Sequence, residues 1–152
     1  MSTYAAKTEV SSQKSRMEIE HTLERYGATR FAYAAQGDKA MIGFEKGGRT
    51  VRFIIPLPDR QSRAFTHHER GVRSETAAAA LYEQAVKQKW RAMALMVKAK
   101  LEGVESGIVT FEQEFLAHTV LPNGKTVFEE TNAGVERAYV EGHVRPLLEL
   151  DS

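Results

Sequence analysis

Groups able to do chemistry are few in this sequence, and they are scattered. None of the 152 residues is cysteine, which excludes disulfides, zinc–thiolate sites, iron–sulfur clusters and cysteine nucleophiles. His67 and His68 are adjacent and would point to different sides of an extended chain, while His21, His118 and His143 stand alone without ligand spacing around them. Glu112 and Glu114, two apart, share no helix face. Glu102 and Glu105, three apart, do share one, and they read as a solvated surface. Neither a G-x-S-x-G elbow nor a G-x-x-x-x-G-K-[ST] phosphate loop occurs. The expectation is a non-enzymatic protein with no metal and no cofactor.

Charge is more informative than chemistry. The formal net charge is only +1, yet residues 1–101 hold 18 Lys and Arg against 10 Asp and Glu, and residues 102–152 hold 3 against 10. Residues 46–100 alone carry 12 basic and 4 acidic side chains. A field of that sign recruits anionic partners, or it faces the acidic part of the same chain or of a second copy. Single-stranded nucleic acid needs a positive track along its backbone and aromatic faces for its bases. Phe31 and Tyr33 supply candidate faces, and Arg49, Arg52, Arg60, Arg63, Arg70, Arg73, Lys87, Arg91 and Lys98 supply candidate cations. Phe44 and Phe53 also lie in this region, but alternation puts them in a core, and Trp90 falls on the apolar seam of a helix.

The elements that must position these groups follow from periodicity. Residues 1–14 are polar and aperiodic and read as a mobile arm. Ser15 with Glu18 matches a capping box, opening a helix in which Ile19, Leu23 and Tyr26 share a stripe and which Gly27 ends. From Arg30 the period becomes two. Three alternating runs, around Phe31 and Tyr33, then KAMIGFEK, then RTVRFII, are separated by Gly37-Asp38 and Gly47-Gly48 and predict an antiparallel meander. Ala40, Ile42, Phe44, Val51, Phe53 and Ile55 form its core-facing set, with Arg52 on the other face.

Pro56 and Pro58 end the third strand, and residues 56–73 read as a basic, mobile loop without periodicity. Ser74 is a candidate N-cap for the longest helix, which runs to Gly107. Tyr82, Val86, Trp90, Met93, Val97, Leu101 and Val104 form its seam. About 31 helical residues make a rod of roughly 46 Å, longer than a domain of this size is wide, so the helix kinks, projects or packs against a second copy. Thr110 and Gln113 form another capping box before a helix in which Phe111 and Phe115 share a face. Pro-Asn-Gly at 122–124 marks a small hairpin, and Asn132 would cap a last helix ending at Gly142. The apolar tail from Val144 is expected to dock on something.

The strings ERYGATRFAY, GGRTVRFIIPLPDR, QKWRAMALMVKAKLEGVESGIVTFEQEFLAH and VLPNGKTV resemble a family of small, functionally unassigned proteins encoded by tailed bacteriophages and prophages. The resemblance covers most of the chain after residue 15 and brings no catalytic residues with it. It implies a setting: an accessory of DNA metabolism or an inhibitor of a host protein, in the cytoplasm of the bacterial host.

The sequence thus predicts one α+β domain over 15–152, in which a three-stranded antiparallel meander is packed by a long helix and followed by a C-terminal helix, hairpin and helix module. The expected function is binding of nucleic acid, preferably single-stranded, by charge and stacking. The alternative is a protein–protein inhibitor or adaptor working through the acidic C-terminal part. No membrane partner is expected, and a homo-oligomer through the long helix is the expected assembly.

Overall fold

The chain is described here from a computed structural model, over residues 8–148. Helix α1 spans Ser12–Arg25 and is followed by three strands, β1 Thr29–Gln36, β2 Lys39–Lys46 and β3 Arg49–Pro56. These pair in the order β1-β2-β3, antiparallel throughout, with Ile42 opposite both Tyr33 and Phe53. The expected meander is therefore present, and its alternation is as expected: Ala40, Ile42, Phe44, Val51, Phe53 and Ile55 are all buried. Gly47 and Gly48 both take positive φ in the β2–β3 turn, a conformation closed to most side chains.

Helix α3, Glu75–Glu105, lies with α1 against that face, and Ser74 caps it by accepting from the Ala77 amide. Trp90, Met93, Ala94, Val97 and Leu101 are its buried residues, so burial is confined to its second half. Tyr82 and Val86, expected on the core seam, are only half-buried, because the sheet does not reach the helix's first turns. The mixed α+β architecture, three strands packed by a long helix with helices at the C-terminal end, is the one the sequence predicts.

Two helix starts differ from expectation. Ser11, not Ser15, caps α1: it has the extended backbone a cap requires and accepts from the Lys14 amide. Ser15 lies within the helix, fully buried, with its own amide bonded to the Ser11 carbonyl. Residues 12–14 of the expected arm are thus helical, and residues 1–7 of it fall outside the described residues. The last helix, α5 Val127–Glu141, starts at Thr126 and not at Asn132, because Thr126 and Glu129 complete a capping box that Asn132 lacks.

The segment expected to be a loop, 56–73, has local structure. Helix α2 Arg63–Thr66 leads into a two-residue ladder, β4 His67–His68 with β5 Gly71–Val72. It is held by Arg73, which donates to the Ala64 and Phe65 carbonyls, and by Phe65 packing on Tyr82 of α3.

Beyond α3, the Thr110–Gln113 capping box opens the short helix α4, Phe111–Glu114. Phe115 is fully buried and meets Phe44 edge-on at 5.9 Å between ring centroids. Thr119 and Val120 then bridge the outer edge of β3, where the Val120 amide bonds the Thr50 carbonyl at 2.8 Å. The hairpin expected around Pro122-Asn123-Gly124 is present only as a single bridge between Val120 and Thr126. Among the described residues no helix is long and apolar enough to cross a membrane.

Candidate nucleic-acid interface

The candidate residues fall into three groups. Phe31 and Tyr33 lie on the helix-covered face of the sheet. Phe31 packs against the core, while Tyr33 has its ring 5.4 Å from that of Trp90 and the Arg16 guanidinium 4.4 Å above it. The Arg16 side chain also donates to the Tyr33 hydroxyl at 2.8 Å. The sheet's other face carries Met41, Ile54 and Arg52 and presents no aromatic ring. The meander therefore offers no row of open rings, since the alternation that builds the core takes its aromatics inward.

A second group is tied into ion pairs. Arg52 lies on the outer face as expected, and it meets Glu129 of α5 at 2.9 Å. Glu129 is held below the usual carboxylate range by the Thr126 amide and hydroxyl it accepts from, and then by Arg52. Arg91 pairs with Glu18 of α1 at 2.7 Å. Arg49 begins β3 beside the glycine turn, on the same strand as Arg52. Lys87 and Lys98 stand on α3, half-buried and exposed respectively.

The third group is assembled into a lobe. The Arg60 guanidinium lies 4.5 Å from the centroid of the Tyr82 ring, and Phe65 meets the same ring edge-on at 5.8 Å. Arg73 ties the α2 carbonyls to the end of the ladder, which places Arg63 on α2 and Arg70 in the β4–β5 turn, both exposed. Neither Arg63 nor Arg70 has a carboxylate partner among the described residues. A sequence-tolerant single-strand site combines cations with flat π surfaces, and here the flat surface is the Arg60 guanidinium over Tyr82.

Phe65 and Tyr82 are missing from the sequence-derived set. Phe65 stands among arginines in the sequence, which is a usable signal. Tyr82 fits the apolar seam by spacing, and only the short reach of the sheet frees its ring.

No group of three or more His, Asp or Glu side chains that could hold a metal ion occurs among the described residues. No protein-family model matches the chain, and the comparisons with curated proteins and with solved structures give no match.

Proposed function

We propose that the chain is a non-enzymatic phage accessory protein that binds single-stranded nucleic acid through the lobe formed by residues 60–73 and the first turns of α3, in the cytoplasm of the bacterial host. The observation that carries the proposal is the Arg60–Tyr82 stack beside the unpaired Arg63 and Arg70. Phosphates would meet Arg63 and Arg70, and a base would stack on the Arg60 guanidinium plane that Tyr82 supports. Arg49, Arg52 and Arg91 are outside this site. The setting comes from the sequence resemblance, and the chemistry from the lobe.

The test is binding of labelled single-stranded DNA, double-stranded DNA and RNA by the full chain at low and physiological salt. Affinity should fall steeply with salt, since each neutralised phosphate of a single strand adds about −0.7 to the log–log slope. Replacing Arg60, Arg63 and Arg70 by alanine should make that slope shallower by about 1.4, since Arg63 and Arg70 are the two phosphate contacts. Binding that ignores salt, or that survives the triple variant, rejects the site.

A second reading, an adaptor or inhibitor acting on a protein, is favoured by α5. No residue of this helix is buried, and Tyr139 and Val140 are each 88% exposed. A contiguous exposed apolar patch with a polar rim is the kind of surface that takes a protein partner.

A further inference from the structure

The outer side of α3 carries a second stripe that the fold does not use. Leu81, Ala85, Gln88, Ala92, Met96 and Ala99 recur at spacings of four, three, four, four and three, the period of a helix–helix seam. None is charged. Leu81, Ala92, Met96 and Ala99 are exposed, although Leu81 and Met96 are large apolar residues. The stripe is a quarter-turn or more from the core seam through Trp90, Val97 and Leu101, so one helix presents two apolar faces and the chain covers one. Lysines border the open face, with Lys89 on one side and Lys98 on the other. Neither has a carboxylate partner among the described residues.

The complementary surface is on the same chain. On α5, Phe128, Val135 and Tyr139 are spaced seven and four apart, share a stripe and are all exposed, with Glu136 along one flank, where Glu129 is already paired with Arg52. Leu147 folds back beside Gly134, where a Cβ would come within 2.8 Å of its Cδ2, and it shares a cleft with Val135 and Tyr139, both of which stay exposed.

Charge decides between the possible occupants. The first 101 residues are strongly basic and the remainder strongly acidic. Yet among the described residues only Arg52–Glu129 and Lys100–Glu114 join the two parts by ion pairs. An α3 face set against another α3 face would oppose lysine to lysine. An α5 stripe set against it opposes glutamate to lysine, and places the Phe128 and Tyr139 rings over the alanines of α3.

We propose that the open face of α3 is covered by α5 of a second copy of this chain, reciprocally, so that acidic module meets basic helix twice about a two-fold axis. The proposal does not rest on the nucleic-acid reading.

Sedimentation velocity on the full chain tests this. The wild type should associate at micromolar concentration in low salt and dissociate as salt screens the lysine–glutamate facing. Met96→Asp and Tyr139→Asp should each be monomeric, and an equimolar mixture of the two should associate again, because one α3 face and one α5 stripe remain intact. Circular dichroism establishes that each variant is folded. If either is not, Lys89→Glu with Lys98→Glu replaces the α3 variant, and Glu136→Lys the α5 variant, with the same expected rescue on mixing. A wild type that stays monomeric, including one whose α5 instead takes a foreign protein, overturns the proposal. So does a mixture that fails to associate, or loss of association in only one of the two variants.

Discussion

Tyr33 and Trp90 meet across the interface between sheet and long helix, ring centroids 5.4 Å apart and planes tilted by 60°. Trp90 is 2% exposed, and the Arg16 guanidinium lies against both rings, 4.4 Å from Tyr33 and 5.6 Å from Trp90. The pair fixes where α3 crosses β1, and it places the only tryptophan of the chain at the centre of the core. Trp90→Ala should therefore cost about 3 to 5 kcal/mol, through lost burial and the cavity left behind. Thermal unfolding measures this, and iodide should quench the native fluorescence weakly. An unchanged melting temperature would place the indole outside the core.

The lobe at 60–73 depends on Arg73, whose guanidinium donates to the Ala64 and Phe65 carbonyls. Limited trypsin digestion should cut first after Arg60 or Arg70, which are exposed outside helix α2, and later after Arg73. Arg73→Ala removes both bonds, and the whole segment should then be cleaved faster. Equal rates in the two proteins would show that the lobe is held in some other way.

His118 stacks on Phe53 with ring centroids 4.3 Å apart, and its pKa is lowered from 6.5 by burial and then by Lys100. A histidine with a depressed folded pKa binds its proton more readily when unfolded. Its contribution to stability is thus complete above the unfolded value, and is lost as pH falls toward the folded one. The melting temperature should fall as pH drops below about 6.5. His118→Phe keeps a ring against Phe53 without titrating, so its melting temperature should fall less over the same interval. Parallel curves would assign the acid sensitivity to other groups.

The meander was legible because its information is local: alternation in KAMIGFEK and RTVRFII names the buried side chains without reference to the rest of the chain. Helix starts were less legible. Ser11 and Ser15 are chemically equivalent caps, and the choice between them depends on how far α1 packs along α3. Asn132 lost to Thr126 because Glu129 is available to only one of them. The lobe could not be read from pattern at all, since a side chain donating to carbonyls nine residues away leaves no periodic trace. Arg52 was correctly placed on the outer face, but its carboxylate partner is 77 residues away and invisible to spacing.

Stacking and charge in the lobe can be separated by substitution. Arg60 contributes both, as a cation and as a plane over Tyr82. Arg60→Lys retains the charge and loses the planar guanidinium, whereas Tyr82→Leu retains apolar bulk and loses the ring. If bases stack here, each variant should weaken single-strand binding by about 1 to 3 kcal/mol, the range for a base on an aromatic face, with the salt slope unchanged because no phosphate contact is removed. Arg49→Ala with Arg52→Ala is the control. It lies outside the lobe, so it should leave affinity and slope alone while lowering the melting temperature through the broken contact with Glu129. Fluorescence anisotropy at several salt concentrations reads both quantities for all the variants. Should the control weaken binding while Tyr82→Leu and Arg60→Lys bind like the parent, the nucleic acid would lie across the outer face of β3 and not on the lobe.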